Sequence, residues 1–451
     1  LVYRTNYSLS PEACPGDLLV PDCVSLEDGV TADEAVMVAL WNNPAFQELL
    51  AGLELSRAQV FNAGLLPDPV LQVFYPIGPK QLEMTLFQGF TALWLRPVQK
   101  RAAERDLDQL ANQLVQNGLD VIRDTRLAHA DWLMAQQQLE VAIKNRDLRK
   151  ELYRLAERRQ EAGAISELEA VAPLLEELNA ESDMARLRGD VEATRARLLF
   201  LMGLPETGQP LMPVGEDAYL VEVPPANDLV TEALQSRPDL LAARYAMDAA
   251  LERIELQKRQ FITLDGIADA NGRGTKGFEI GPGTRFSIPI FNGNKGNIAI
   301  AEAQYQIAAR RYFTVENQVR QDVLTAHARL QQASNNLKIV ESKILPATRT
   351  ASELARKNFE GGGASYVLTL QTVGQNLTAQ STRASLIADL NRARAEMERG
   401  VGHQIDLPPA SEPIPNAIPP ASAPEPELDQ PQSSLPNLRP CRPVLHRTES
   451  Y

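Results

Sequence analysis

Hydrophobic and polar residues alternate along two short stretches of this chain, one in each half. The apolar positions are Leu82, Met84, Leu86, Phe90 and Trp94 in the first stretch and Phe278, Ile280, Phe286, Ile288 and Ile290 in the second. A period of two is typical of a strand with one apolar face. Weaker strand signals near 70–76 and 262–270 precede them, so the sequence predicts two β-hairpins, at 69–95 and 262–291.

Helical signals fill most of the remaining chain. Thr31 and Glu34 have the spacing of a capping box, which predicts the start of the first helix. Pro44 and Pro238 predict a break in the helical segment that precedes each β-hairpin, because proline cannot donate a backbone hydrogen bond.

A long helical hairpin is predicted after each β-hairpin. The helices cover 98–162 and 164–202 in the first half and 296–360 and 364–402 in the second, with turns at Gly163 and at Gly361–Gly363. At about 1.5 Å per residue the longest would extend roughly 100 Å. Pro173 and Pro346 fall inside two of these helices and predict local kinks.

The two halves repeat one order of elements. Pro44 is matched by Pro238 at an offset of 194, and Gly203 by Gly402 at an offset of 199. A near-constant offset indicates that one structural unit was duplicated. The predicted organisation begins with an irregular leader at 1–29 and a first repeat at 30–204. A linker at 205–226, a second repeat at 227–403 and a proline-rich disordered tail at 404–451 follow. The long helical hairpins of the two repeats are predicted at 98–203 and 296–402. The fold class is therefore mainly α with a small β part.

Composition and charge exclude several classes of protein. The formal net charge of −13 argues against a nucleic-acid binder, since phosphate binding needs a basic face. No set of residues forms a catalytic constellation, so neither enzyme activity nor a cofactor is expected. No run of 18 apolar residues predicts a transmembrane helix. The chain begins at Leu1 without a basic-then-apolar leader, which suggests a removed signal peptide or a cut chain.

The predicted hairpins require self-association. Four strands cannot close a barrel, and lipid does not tolerate an open sheet edge. Three copies would supply twelve strands and twelve long helices, enough for a 12-stranded transmembrane β-barrel joined to an α-helical barrel. The expected assembly is a homotrimer whose ten alternating apolar residues, named above, face the lipid.

Histidines and cysteines offer weaker signals. His129 and His327 are equivalent positions of the two repeats, and in a trimer they would form a ring of six. Such a ring suggests metal binding or pH sensing, but a packing role is favoured and no metal site is assigned. Cys14, Cys23 and Cys441 lack metal-ligand spacing. Cys14 and Cys23 either form a disulfide or remain free thiols, and the sequence leaves both open.

Several motifs resemble those of the TolC-like outer-membrane efflux proteins. They are the Asn43-Pro44 and Arg237-Pro238 breaks, the Gly-Leu-Leu-Pro-Asp-Pro step at 64–69, the strand-to-helix passage at 281–294 and the glycine-serine hairpin turns at 163–166 and 362–365. The resemblance covers about residues 30–403. The step at 64–69 resembles the heavy-metal efflux branch slightly more than the drug branch.

The resemblance implies a trimeric channel in the bacterial outer membrane, with its helical part in the periplasm. Its partners would be a periplasmic adaptor protein and an inner-membrane pump, and its cargo small molecules or metal ions. The hairpin tips, where the adaptor would dock, comprise Gly163, Ser166, Gly362, Gly363 and Ser365. Relatives often carry an acidic constriction beyond the tip, and the candidate gate residues here are Glu167, Glu169 and Gln371.

A second hypothesis is a soluble or periplasmic coiled-coil scaffold without a pore. In that case the two β-hairpins would pack on helices instead of lipid. The two hypotheses differ in extraction behaviour, because only a membrane barrel requires detergent.

Overall fold

Long helices account for most of the chain in the computed structural model. The structure describes residues 2–5, 7–9, 18–25, 28–75, 82–204, 211–215, 223–272, 277–360 and 365–405. The helices are α1 (Val2–Thr5), α2 (Ala32–Asn42), α3 (Pro44–Ala63), α4 (Thr91–Glu161), α5 (Glu167–Leu201), α6 (Ala226–Ser236), α7 (Pro238–Arg259), α8 (Lys295–Ile339), α9 (Leu345–Glu360) and α10 (Tyr366–Val401), with a π-helix at Val340–Ile344. The strands are β1 (Val70–Phe74), β2 (Glu83–Gly89), β3 (Leu264–Gly272) and β4 (Phe278–Phe286).

The chain divides into two compact units, and each takes part of both repeats. The helical unit contains Leu1–Pro44, Gly118–Leu229 and Val323–Tyr451. The sheet unit contains Ala45–Asn117 and Val230–Asp322. The order of helix, β-hairpin and long helical hairpin follows the predicted duplication, and the mainly helical fold with few strands is confirmed.

In the sheet unit the two hairpins form one antiparallel sheet in the order β1-β2-β3-β4. The central pair, β2 and β3, joins the two repeats, and Thr85 donates its hydroxyl hydrogen to Asp269 at 2.7 Å across it. Nearby, ion pairs connect α4 with α7, Arg101 with Glu252 at 3.0 Å and Arg253 with Asp106 at 2.6 Å. The sheet is thus a product of both halves of the chain.

Both predicted strand segments end earlier in the structure than the alternation suggested. Helix α4 begins at Thr91, so Trp94, predicted on a strand, lies on a helix. The Thr91 hydroxyl accepts a hydrogen bond from the Leu264 amide at 2.6 Å, which places this turn against the end of β3. In the second repeat β4 ends at Phe286, and Pro289 lacks the amide that would continue the ladder.

Packing of α2, α4 and α5 forms the core of the helical unit. The cluster includes the buried residues Ala35, Val38, Ala39, Ala128, Trp132, Ala135, Val191, Leu198, Leu199 and Met202. Small residues at Ala128 and Ala135 allow the neighbouring helices to approach closely. Burying large apolar side chains such as Leu198 and Trp132 contributes roughly 1.5–3 kcal/mol each.

The two internal prolines have different consequences. Pro173 lies inside α5, which continues without a break. The kink predicted at Pro346 appears as the π-helix at Val340–Ile344, immediately before α9. In this turn the Leu345 amide donates to the Val340 carbonyl, and the Ser342 hydroxyl donates to the Lys338 carbonyl at 2.5 Å. The local hydrogen bonds therefore adjust to the proline without ending the helical path.

Glycines end one long helix of each repeat in the left-handed conformation. Gly203 has φ of +65° after α5, and Gly402 has φ of +94° after α10. At Gly203 a Cβ atom would lie 2.2 Å from the backbone oxygen of Asn42. Only glycine fits this approach of two backbones.

We expect Gly203→Ala to destabilise the protein more than Gly163→Ala. Gly163 has nearly the same φ, +69°, but open space where a Cβ would stand. Both variants incur left-handed strain of about 1–2 kcal/mol, and Gly203→Ala adds about 1–3 kcal/mol of overpacking. Chemical unfolding followed by circular dichroism measures the difference. Equal losses would show that the contact with Asn42 relaxes at no cost.

Candidate functional site

One face of the sheet is almost entirely apolar. Strand pairing places Met84 opposite Val73 and Ala270, and Ala270 opposite Ile280, so these residues share a face. Gln88, Gly266, Gly272 and Thr284 also lie on this apolar face, and its apolar side chains are Leu71, Val73, Met84, Leu86, Leu264, Ala268, Ala270, Ile280, Pro282 and Phe286. Ile280 is 75% exposed and Phe286 is 59% exposed. A chain in water would not leave such a surface uncovered without a partner or an apolar phase.

The opposite face carries all of the charged residues and most of the polar residues of the strands. Their positions are Gln72, Glu83, Thr85, Asp265, Asp269, Asn271, Glu279 and Arg285, with Val70, Phe74, Phe87 and Ile267 among them. Arg285 donates to the Asp265 carboxylate at 2.7 Å, and its guanidinium lies 5.1 Å from the centre of the Phe87 ring. The sheet thus has one mostly apolar face and one mostly polar face.

Phe90 belongs to the apolar face although it follows β2. A Cβ atom at Gly266 would point to that face and would lie 2.3 Å from the Phe90 ring. The Phe90 amide also donates to the Leu264 carbonyl at 2.8 Å. Gly266 therefore makes room for the ring to lie on the sheet.

The structure brings together five of the ten predicted lipid-facing residues, and it adds others. Met84, Leu86, Phe90, Ile280 and Phe286 lie on the apolar face. Leu82 directly precedes β2, while Ile288 and Ile290 follow β4 outside the ladder and are exposed. Phe278 begins β4, but its side chain lies outside the described residues.

Leu71 and Val73 were missed as members of this face. The run Val70-Leu71-Gln72-Val73-Phe74 places apolar residues on both sides of a strand, so its period did not indicate which side is buried. Pairing with β2 decides it, because Leu71 lies opposite Leu86.

The turn between α4 and α5 is built by local hydrogen bonds. Gly163 adopts φ of +69°, and the Ala164 amide donates to the Arg159 carbonyl at 2.8 Å. Ser166 caps α5, since its hydroxyl oxygen accepts from the Glu169 amide at 3.3 Å. In the second repeat Ser365 caps α10 through the Leu368 amide. Gly362 and Gly363 lie outside the described residues.

The three candidate gate residues have different surroundings. Glu169 completes the capping box by accepting from the Ser166 amide at 2.8 Å and the Ser166 hydroxyl at 3.0 Å. These hydrogen bonds, the backbone one first, lower the pKa of Glu169 below its usual value. Glu167 lies in the same first helical turn, and Gln371 is exposed on α10. The Glu169 carboxylate therefore serves the helix cap.

The two equivalent histidines make equivalent contacts. His129 Nε2 lies 2.8 Å from the Val30 carbonyl oxygen, and His327 Nε2 lies 3.0 Å from that of Pro224. A carbonyl only accepts, so each ring donates to the residue two positions before the first helix of its own repeat. This contact supports the packing role. Within the described ranges, no group of three His, Cys, Asp or Glu residues is placed to hold a metal ion.

The two helix breaks that carry the family resemblance are anchored differently. Asn43 donates its side-chain amide to the Leu201 carbonyl at 2.9 Å in the helical unit. Arg237, in the sheet unit, is 1% exposed and pairs with Asp239 and Asp322, each at 2.8 Å. The helix break of the first repeat is thus held by a side-chain amide, and the equivalent break of the second repeat by a buried ion pair.

A buried charge cluster joins the N-terminal segment to α2, α4 and α10. Arg126 donates to the Tyr7 hydroxyl at 2.7 Å and to Asp33 at 2.9 Å, and it forms a close ion pair with Glu398. Arg394 lies 3.4 Å from the other oxygen of Glu398. The leader therefore makes specific contacts near Tyr7, where an irregular segment was predicted.

Burial and charge act against each other in this cluster. Burial lowers the pKa of Arg126, but the electrostatic interactions with Glu398, Tyr7 and Asp33 outweigh it and raise the pKa above its usual value. Burial raises the pKa of Glu398, although Arg126 opposes the shift. Arg126 is therefore held as a cation, and Glu398 depends on it for compensation of its charge.

Among the described residues, no helix is both long and apolar enough to cross a lipid bilayer.

Comparison with known proteins identifies the class to which this architecture belongs. Residues 229–403 match the family described as outer membrane efflux protein. Together with the fold, this match to the second repeat confirms the resemblance to the TolC-like outer membrane efflux proteins that the sequence motifs carry. Members of this family are outer-membrane channels.

Two characterised relatives and two solved structures show the extent of the likeness. The cobalt-zinc-cadmium resistance protein CzcC of Cupriavidus metallidurans is 22% identical over 83% of this chain and 90% of its own length. The alkaline protease secretion protein AprF of Pseudomonas aeruginosa is 22% identical over 52% of this chain and 51% of its own.

CusC superposes with a TM-score of 0.71 at 16% identity, covering 88% of this chain and 99% of CusC. The outer membrane protein VceC of Vibrio cholerae superposes with a TM-score of 0.68 at 16% identity, covering 83% of this chain and 97% of VceC. At these identities the superpositions establish a common fold.

Proposed function

We propose that this chain is the outer-membrane channel of a tripartite efflux pump and that it works as a homotrimer. The observation that supports this most strongly is the sheet with one apolar and one polar face. In the described structure β1 and β4 pair on one side only, which leaves two outer strand edges. Pairing β4 of one copy with β1 of the next would satisfy both edges and close a 12-stranded barrel.

In this barrel the apolar face meets lipid and the polar face lines water. The long helices form a helical tube in the periplasm, and the chain performs transport without catalysis. A soluble scaffold remains the contrasting hypothesis. It requires the apolar face to be covered by the protein's own helices, and the 75% exposure of Ile280 favours lipid instead.

We propose that the exported cargo is divalent metal ions, and organic small molecules are the second candidate. The support is the likeness to CzcC over most of both chains, together with the step at 64–69. A deletion strain complemented with the wild-type chain should regain resistance to cobalt, zinc or cadmium. Resistance restored only to organic drugs would move the cargo to small molecules. If the chain restored resistance to neither metals nor drugs, and the protein were extracted without detergent, the scaffold hypothesis would be favoured.

The hairpin tips are proposed as the docking end for the periplasmic adaptor protein, which in turn contacts the inner-membrane pump. The tip residues are Gly163, Ser166, Gly362, Gly363 and Ser365, and the turns at Ser166 and Ser365 begin helices that another helical hairpin could continue. The gate is proposed near Glu167, Glu169 and Gln371, one turn or two beyond the tips.

We expect Ser365→Trp to abolish efflux while leaving the trimer intact. A bulky ring at an exposed tip blocks the approach of another chain but displaces no core residue. Ser365→Asp keeps a capping side chain of small size, so it should transport normally and serves as the matched control. Resistance assays and native gels measure both properties. Normal transport by Ser365→Trp would contradict docking at this tip.

A further inference from the structure

The segments that join the sheet to its helices converge at one end of the sheet unit. The Thr263 amide donates to the Ser287 hydroxyl at 2.9 Å, just beyond the pairing of β3 with β4. The Asn294 side-chain amide donates to the Gln257 carbonyl at 2.7 Å, which ties the start of α8 to the end of α7. Helix α4 begins at the same end of the sheet. We name this end the collar, and it comprises residues 88–100, 256–263 and 287–295.

The collar exposes large apolar side chains that continue the apolar face of the sheet. The Leu93 amide donates to the Phe90 carbonyl at 3.0 Å, so Leu93 lies one helical turn beyond Phe90 on the same side of the helix. After β4 the chain runs from Phe286 on the apolar face to Phe291, which is 99% exposed. The exposed apolar residues of the collar are Phe90, Leu93, Phe261, Ile288, Ile290 and Phe291.

The collar is also basic. Six basic side chains and no acidic one occur in its three segments, taken as 89–103, 256–264 and 286–301. Lys100, Arg101 and Arg259 pair with glutamates. The other three basic side chains are exposed, and the part of the chain that the structure describes gives them no ion-pair partner: Arg96, Lys258 and Lys295.

Two of these cations lie on segments that are hydrogen-bonded to each other. Lys258 directly follows Gln257, and Lys295 directly follows Asn294, so the bond between Gln257 and Asn294 holds both lysines in one region. Arg96 lies three residues beyond Leu93, on the same side of α4. Like charges repel at short range, and an anion between them removes the repulsion. The collar therefore suits a ligand that is both anionic and apolar.

We propose that the collar binds anionic phospholipids, with their phosphate groups at Arg96, Lys258 and Lys295 and their acyl chains along the exposed apolar residues. The proposal rests on the lipid contact of the apolar face in the proposed function, and it names the lipid class at the periplasmic edge of that contact. Continuity with the apolar face brings the acyl chains to the collar. Its positive charge selects anionic over zwitterionic headgroups.

The test compares the full chain in mild detergent with the triple variant Arg96→Gln, Lys258→Gln, Lys295→Gln. Native mass spectrometry measures the binding of phosphatidylglycerol and of phosphatidylcholine with the same acyl chains. We expect the wild type to bind phosphatidylglycerol at least tenfold more tightly than phosphatidylcholine, and the triple variant to lose this preference without loss of helix signal. Unchanged preference in the triple variant would overturn the proposal and would indicate that another protein surface covers the collar.

The matched control removes the same charge from exposed positions in the helical unit, as Lys150→Gln, Arg154→Gln, Lys357→Gln. It should keep the preference of the wild type. Loss of the preference in this control as well would overturn the assignment to the collar, because the effect would then follow net charge.

Thermal unfolding distinguishes a lipid from free phosphate. Phosphatidylglycerol should raise the thermal midpoint of the wild type, and inorganic phosphate at the same concentration should not. An equal rise with phosphate would overturn the assignment to lipid. Equal binding of both lipids by the wild type would also overturn it and leave the proposed function standing. A wild-type chain that is extracted without detergent and binds neither lipid would overturn both.

Discussion

Ile280→Arg is expected to prevent stable insertion of the protein into the outer membrane. Ile280 lies on the apolar face of the sheet, opposite Ala270, and is 75% exposed. An arginine facing lipid near the midplane of a barrel costs about 2–4 kcal/mol. In the proposed trimer the three copies multiply the effect, so we expect at least a hundredfold less trimer in purified outer membranes. Quantitative blotting after membrane fractionation measures this loss.

Neighbouring positions in β1 supply the matched control. Leu71 lies on the apolar face and Gln72 on the polar face of the same strand. Leu71→Arg should reproduce the defect, whereas Gln72→Arg should insert and assemble as the wild type does. The two variants place an arginine at adjacent positions of β1, on opposite faces of the sheet. If both arginines were tolerated, the apolar face would not meet lipid, and the scaffold hypothesis would gain support.

Arg126→Ala is expected to cause the largest loss of stability in the helical unit. The variant leaves Glu398 buried beside one remaining arginine, Arg394, and removes the contacts with Tyr7 and Asp33. Breaking a buried ion pair by removing one partner costs about 3–5 kcal/mol. The thermal midpoint of the helix signal, recorded by circular dichroism in detergent, should fall well below that of the wild type.

The double variant Arg126→Met with Glu398→Leu distinguishes an unpaired charge from lost packing. Replacing both ions by apolar residues of similar size is often nearly neutral. The double variant should therefore be more stable than Arg126→Ala, and a double-mutant cycle should show strong coupling. Equal losses in the single and double variants would mean that Arg126 acts through Tyr7 and Asp33, by fixing the N-terminal segment.

Local signals in the sequence determined several of the positions where helices begin and end. The capping box at Thr31 and Glu34 forms both of its hydrogen bonds, because the partners are three residues apart. Gly203 and Gly402 end their helices in the left-handed conformation, and Pro346 follows the one described π-helix. The matches of Pro44 with Pro238 and of Gly203 with Gly402, at a near-constant offset, predicted the duplication. All of them act within a few residues of the chain.

The contacts between residues far apart in the chain depended on the tertiary structure. The alternation continued through Trp94, but contact between Thr91 and Leu264 starts a helix there instead. The face of Leu71 depended on its pairing with Leu86, and one of the two acidic partners of Arg237, Asp322, lies 85 residues away. A groove in the helical unit likewise joins residues 340–348 to residues 374–382. Sequence by itself determined the repeat and its local hydrogen bonds, whereas strand register, ion-pair partners and grooves depended on packing between segments far apart in the chain.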